Sequence, residues 1–209
     1  MIGDHYKWLA HLYDPVVGRF NRNLRAIAIS MLPPCEGASV LDVGCGTGMY
    51  LELYSRPDCQ ISGIDLSPAM LAIARKRLGS QAHLLLEDAS QMPYEDETFD
   101  IVLASLFLHE LSPETRSAIM DQMKRVLKPD GRMLITDFHP GPFAGAKGYR
   151  MNIIITIAEQ MAGRDHFRNS RVFLARQGML PLIEEHGMRI EEMKVISGGT
   201  LGLYLIQKG

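Results

Sequence analysis

Strand-like and helix-like segments alternate from about residue 39 to residue 139, and this alternation constrains the fold more than any other feature of the chain. Short apolar runs at Ser39–Val43, Gln60–Asp65, Ala82–Leu86 and Phe99–Ser105 read as strands, and Pro129-Asp130-Gly131 reads as a turn into a fifth, Met133–Phe138. Between them lie helix signals. Met49–Tyr54 fits a short helix. Ser67 is placed to cap another, with Pro68 at its first position and Gly79 just past its end. Ser112-Pro113 opens a third, whose apolar positions Ile119, Met123, Val126 and Leu127 recur at helical spacing. Strands joined through helices must run parallel, so the expectation is an α/β fold with helices on both faces of a mostly parallel sheet. The end of the chain breaks this pattern. Arg171–His186 reads as one helix closed by Gly187, followed by strands at Ile190–Ile196 and Leu201–Ile206. Their short connection around Gly198-Gly199 makes them antiparallel.

The strongest local signal is Asp42-Val43-Gly44-Cys45-Gly46-Thr47-Gly48, where the first strand runs into a glycine-rich turn ahead of the Met49–Tyr54 helix. Glycines permit a tight turn and let a ligand approach the backbone. The same turn also serves plain helix–strand packing in many α/β proteins. Its spacing fits neither common phosphate loop. A dinucleotide fingerprint wants its third glycine where Met49 stands, and a P-loop wants Gly-Lys-Ser/Thr. No lysine or arginine lies nearby to neutralise phosphate. The strand ends carry Asp42, Asp65 and Asp88 instead, a polarity suited to a cationic ligand. Asp65 ends the second strand, where a carboxylate can accept from both hydroxyls of a ribose; Ser67 holds the capping position and leaves Asp65 free for that role. Asp88-Ala89 follows the third strand and is placed either to meet an adenine edge or to order its own loop.

A chain of 209 residues with 46% apolar and 22% charged residues suits one domain with a substantial core. A net charge of −2 argues against a dedicated nucleic-acid binder. Cys35, Cys45 and Cys59 match no zinc spacing, and their odd number suggests no disulfide framework, so a reduced cytoplasmic setting is expected. The N-terminus has no basic region followed by an apolar run, and no segment approaches the roughly twenty apolar residues of a membrane span. Peripheral membrane contact stays open.

Taken together, VLDVGCGTG at 40–48, GIDLSPAML at 63–71, EDASQMPYEDETFDIVLAS at 87–105 and RVLKPDGRMLITDF at 125–138 resemble the class I S-adenosylmethionine-dependent methyltransferases. Within that family the chain is similar to the ubiquinone/menaquinone-biosynthesis C-methyltransferases and their phospholipid and small-molecule relatives. The resemblance is strong over about residues 38–139 and weaker at SGGTLGLYLIQK, residues 197–208. It implies a doubly wound, Rossmann-like α/β sheet of seven strands in the order 3-2-1-4-5-7-6, with strand 7 antiparallel. It implies a single domain over 1–209, with a cofactor-binding core at 38–139 and lid or acceptor segments at 1–37 and 140–170. The implied cofactor is S-adenosyl-L-methionine. Gly44, Cys45, Gly46 and Gly48 would pass its methionine moiety, Asp42 would favour its ammonium, and Asp65 would take the ribose. Leu66 would pack on the adenine, with Asp88 and Ala89 at its edge. Ser105 and Leu106 would border the methionine portion, and Tyr13 would close over the cofactor.

The segment after the fourth strand, Ser105-Leu106-Phe107-Leu108-His109, lacks the Asn/Asp-Pro-Pro-Tyr pattern of DNA-amine methyltransferases. The Pro-Cys of cytosine-C5 enzymes is also missing, and Asp137 alone makes no acidic metal cluster, so no metal is expected. The implied acceptor is a small or lipid-like molecule. His109 is the best-placed general base, with Asp137 and His139 on the same side as lesser candidates. Residues 141–170 combine Ile153–Ile157 and Met161 with Arg164, His166, Arg168 and Arg171. They read either as an apolar acceptor pocket with cationic residues, or as a helix with a buried apolar face and a solvated basic end. Two other functions compete with an active methyltransferase. One is a non-catalytic S-adenosylmethionine-binding regulatory or partner subunit. The other, a nucleotide-dependent oxidoreductase, is disfavoured by Met49.

Overall fold

The structure is a computed structural model and describes residues 23–209. Seven strands form one sheet in the order β3-β2-β1-β4-β5-β7-β6. They are β1 Ser39–Val43, β2 Gln60–Asp65, β3 Ala82–Leu86, β4 Phe99–Ser105, β5 Leu127–Phe138, β6 Met188–Ile196 and β7 Leu201–Lys208. Strands β1 to β5 pair in parallel, whereas β7 runs antiparallel between β5 and β6. The parallel registers bring the carboxyl ends of β1, β2, β4 and β5 to one edge. There Val43 lies opposite Ile64 and Ala104, and Ser105 lies opposite Thr136. In open α/β sheets this is the edge that binds ligands.

Helix α1 covers residues 23–31, and Leu24 and Ala28 join the core. Helix α2, Pro68–Leu78, begins where the Ser67 hydroxyl accepts from the Met70 N–H at 3.2 Å, and it ends at Gly79. Helix α3, Pro113–Val126, begins with Ser112 accepting from the Thr115 N–H and buries Ile119, Met120, Met123 and Val126. Helices α4, Gly145–Ala162, and α5, Arg164–Ala175, follow β5, and α6, Met179–Glu185, precedes β6.

Three sequence expectations are corrected. Only a 3-10 turn at Leu51–Tyr54 follows the glycine loop, so no long helix there presents a full set of free N–H groups. Strand β5 starts at Leu127 rather than Met133, with a register shift against β4 between Phe99 and Ile101. The Pro129-Asp130-Gly131 stretch is absorbed as an irregularity within the strand, a setting in which a strand proline is tolerated. The single helix expected over Arg171–His186 is two helices. It breaks at Gln177 and Gly178, both at positive φ, where the Gly178 N–H closes a left-handed cap onto the Phe173 carbonyl at 3.0 Å.

The closing hairpin turn needs its glycines for space. A Cβ on Gly198 would overlap the backbone of Gly148 in α4, and one on Gly199 would overlap the Pro142 carbonyl. The Ala144 N–H donates to the Gly198 carbonyl at 2.8 Å across the same junction. The start of α4 is therefore fastened to the β6–β7 turn, backbone against backbone.

Candidate active site

The turn after β1 is built by its own backbone. The N–H groups of Gly44 and Cys45 both donate to the Ile64 carbonyl, at 2.9 and 3.1 Å. Gly44 is glycine because its φ is +66° and a Cβ would strike the ring of Phe107. Gly48 is confined by Leu78 and Ala74 of α2 in the same way, whereas a Cβ on Gly46 would meet open space. Gly44 and Gly48 thus serve close packing, and Gly46 is the position where a ligand has room. The Cys45 side chain is buried against Gly63, with burial raising its thiol pKa well above the usual range.

Two carboxylates face this turn. Asp65 braces it: one oxygen accepts from the Gly46 N–H and the other from the Ser67 N–H, each at 2.8 Å. The sequence suggested a free carboxylate, whereas the structure engages both of its oxygens with backbone donors. Asp42 lies within β1, 2% exposed, and its Oδ1 is buried with no hydrogen-bond partner. Burial first, and then the like charge of Asp65, pushes its carboxyl well above the ordinary carboxylate range. A buried carboxyl with an unused oxygen costs free energy until a donor or cation meets it.

Other candidates fall around these two. Leu66 is exposed at the edge. Asp88 is exposed, and its Oδ1 accepts from the Ser90 N–H, which orders the turn at Ala89–Gln91. Ser105 has a buried hydroxyl without a hydrogen-bond partner, and Leu106 adopts a φ of +56°, rare for a branched side chain. Tyr13 lies outside the described residues.

Beyond Leu106 the chain forms a 3-10 turn, Leu108–Glu110, that carries His109. Arg116 of α3 holds this turn from below. It donates to the carbonyls of Leu108 and Leu111 at 2.7 Å each and lies over the ring of Phe173. The His109 ring is 2% exposed and stacks on Phe138 with centroids 3.8 Å apart. Its Nδ1 is 2.5 Å from Asp137 Oδ1, and its Nε2 is 3.5 Å from Glu159 and 4.0 Å from Glu110. The second oxygen of Glu110 is 3.7 Å from His166 of α5. Burial alone would lower the histidine pKa. The charge and hydrogen bond of Asp137, the hydrogen bond of Glu159 and the charge of Glu110 outweigh it and raise the pKa to about 10. Both ring nitrogens of His109 are turned to carboxylates, an arrangement that favours the protonated ring. That geometry argues against the base role suggested by its position. Asp137, fully buried, is its counterion, and His139 instead bonds the Gly199 carbonyl at 3.2 Å.

Glu159 was missed in the sequence. It lies in α4 among isoleucines, where a lone acid reads as a solvated position. The helix is inverted: Glu159 is its buried side chain, 8% exposed, while Ile153, Ile154, Ile157 and Met161 are all more than half exposed. Of the two readings of this segment, a fully buried apolar face is not formed, although Ile155 is half-buried against the core. Lys147 and Arg150 share the exposed side of the same helix. Among the described residues no His, Cys, Asp and Glu side chains group to hold a metal ion, and no helix is long and apolar enough to cross a membrane.

The core of the chain is similar to known proteins. Residues 41–135 match the methyltransferase domain family. A demethylmenaquinone methyltransferase of Tropheryma whipplei is 36% identical over 129 residues, covering 61% of this chain and 53% of its own. A malonyl-[acyl-carrier protein] O-methyltransferase of Herminiimonas arsenicoxydans is 34% identical over 131 residues, covering 62% of this chain and 48% of its own. The chain thus spans about half the length of these relatives. A chain of the complex between the Haloferax volcanii Trm112 methyltransferase activator and its methyltransferase superposes with a TM-score of 0.69 over 100% of both chains, at 18% identity. At that identity the likeness is one of fold.

Proposed function

Because the chain belongs to the class I S-adenosylmethionine-dependent methyltransferases, we propose that it moves the methyl group of S-adenosylmethionine to a small-molecule or lipid-like acceptor, within one domain that combines the core at 38–139 with acceptor segments at 1–37 and 140–170. The observation that carries the proposal is Asp42, a buried carboxyl with an unused oxygen at the ligand edge of the sheet, close enough to Asp65 to feel its charge. A cationic ligand relieves both penalties, and the donor carries an ammonium and a sulfonium. In this reading Asp42 draws the ammonium, Asp65 takes the ribose, Gly46 leaves room for the chain of the ligand, and Leu66, Asp88 and Ala89 border the adenine. Ser105 and Leu106 border the methionine portion. The neighbouring orphan hydroxyl of Ser105 fits that place.

Bound there, S-adenosylmethionine supplies a methyl group already activated by its sulfonium. The protein's share is positioning and exclusion of water. Phe107, packed against Gly44, and Phe138, stacked on His109, give the acceptor side of the site an apolar boundary. The exposed isoleucines of α4, with Lys147 and Arg150 beside them, support an acceptor that is lipid-like or delivered at an anionic membrane surface. A complex like that of the Haloferax volcanii neighbour is a second way in which such a face would be covered, and co-purification with an activator subunit tests it. A screen of lipid and water-soluble acceptors with labelled donor, followed by mass measurement of the product, tests the activity itself. Absence of turnover with intact cofactor binding would favour the regulatory-subunit reading.

S-adenosylmethionine and S-adenosylhomocysteine should both bind and raise the melting temperature by mass action, and NAD should not. Tighter NAD binding in calorimetry would refute the proposal.

Asp42→Asn separates stability from function. The folded carboxyl titrates above its unfolded value of about 3.9, so its cost is absent below that pH and grows as pH rises. The ligand-free variant should melt higher than the parent at pH 7, by roughly 2–4 °C per kcal/mol relieved. The gain should shrink toward pH 4, and binding of S-adenosylhomocysteine should weaken at least about tenfold, one lost charge-assisted contact. A variant that melts lower and binds normally would remove Asp42 from the site.

A further inference from the structure

Helix α4 buries Glu159 and leaves Ile153, Ile154 and Ile157 more than half exposed, with Ile155 half-buried against the core. A helix that only needed to pack would turn the other way. What the inversion achieves is delivery of Glu159 to the ring of His109, at the turn that follows β4. Only one oxygen of Glu159 is used there. Oε1 faces His109 Nε2 at 3.5 Å, while Oε2 is buried and has no hydrogen-bond partner. The side chain is thus fixed by an imidazolium on one side and has an acceptor atom to spare on the other.

Resting on the methyltransferase reading, we infer that Glu159 is the acceptor-binding residue and general base of this site, and that it takes an acceptor bearing a neutral phenolic or enolic hydroxyl. The unused oxygen demands a donor, which an O–H supplies. The Glu159 carboxylate itself repels an anion; among the described residues Asp137, Glu159 and Glu110 converge on His109, with Arg116 against the His109 carbonyl of the same turn. His166, on α5, faces Glu110 rather than Glu159. Phe138, stacked on the histidine, offers an aromatic neighbour for a ring. In the reaction the acceptor's O–H bond breaks and its proton goes to Oε2 of Glu159. The electron pair released on the acceptor's oxygen, or on the conjugated carbon, bonds the methyl carbon as the carbon–sulfur bond breaks with its pair staying on sulfur. The carboxylic acid formed then returns its proton to water. His109 is a positioning residue in this scheme. It holds the carboxylate in place and is itself already protonated.

The test uses phenol as the probe and anisole, which lacks the donor, as the control. Each is titrated into the protein saturated with S-adenosylhomocysteine, with the His109 ring resonances followed by NMR. Phenol should bind and shift those resonances, anisole should bind at least tenfold more weakly, and Glu159→Gln should weaken phenol at least tenfold with S-adenosylhomocysteine affinity unchanged. Glutamine keeps an oxygen toward His109, so a purely structural role for Glu159 would leave phenol binding intact. Should Glu159→Gln not fold, Glu159→Asp keeps the charge, draws it back by one methylene, and should give intermediate phenol affinity. Equal binding of phenol and anisole, or of phenol to parent and variants, overturns the inference, as does no phenol binding to the parent. Failure of S-adenosylhomocysteine to bind is read separately in the same samples and counts against the methyltransferase reading.

Discussion

Replacing Asp65 with alanine should weaken binding of S-adenosylhomocysteine by about 30–900-fold, the equivalent of losing roughly 2–4 kcal/mol of charge-assisted hydrogen bonds. Two effects add in this number. The carboxylate is the ribose acceptor of the proposed site, and its oxygens also hold the N–H groups of Gly46 and Ser67. Alanine therefore removes ligand contacts and loosens the turn that leaves room for the ligand. The stability cost should be modest by comparison, about 0.5–2 kcal/mol, as for other lost caps on exposed backbone donors. Titration calorimetry for affinity and thermal melting for stability separate the two. A loss of less than threefold would mean that Asp65 only braces the turn, and the ribose would need another partner.

The second large effect is on stability. His109→Ala strips the counterion from Asp137 and Glu159, which are 0% and 8% exposed. Breaking a buried pair by removing one partner costs about 3–5 kcal/mol, because the remaining charge stays buried. For a chain of this size that is a fall in melting temperature of roughly 6–20 °C at pH 7. The pH dependence follows from the direction of the shift. The folded histidine titrates at about 10, above the unfolded value of about 6.5. Its stabilisation is therefore complete below about pH 6.5 and is lost as pH rises through 10. The gap between parent and variant should be widest near pH 6.5 and narrow steadily toward pH 10. A gap that is small at pH 7, or that does not change over that range, would show that His109 is not held as an imidazolium. The base assignment would then return to His109 itself.

The matched region, residues 41–135, ends before Asp137, α4 and α5. A relative 36% identical over 129 residues is named a demethylmenaquinone methyltransferase, and one 34% identical over 131 residues a malonyl-[acyl-carrier protein] O-methyltransferase.

The strands of the parallel sheet were legible in the sequence. Which apolar runs alternate with helices is a local pattern, and Ser39–Val43, Gln60–Asp65, Ala82–Leu86 and Phe99–Ser105 are strands with the expected limits; their order in the sheet came from the family resemblance, because pairing partners are set in three dimensions. The caps at Ser67 and Ser112 are equally local, since each hydroxyl bonds an N–H three residues on. The Arg171–His186 break falls at Gly178, a glycine stop of the same kind as Gly79 and Gly187 that the continuing apolar pattern on its far side, Met179–Ile183, masked. The acceptor side was decided only in three dimensions. His109, Asp137 and Glu159 come from three separate elements, and no spacing in the chain links them. Sequence periodicity records which side chains share a helix face but not whether that face meets a core, solvent or a buried imidazolium. For α4 it therefore left an acceptor pocket and a buried apolar face both open. Tertiary contact decided that Glu159 is the buried side chain, because a carboxylate can leave water for the protein interior only where a counterion waits for it, and His109 waits in the turn after β4.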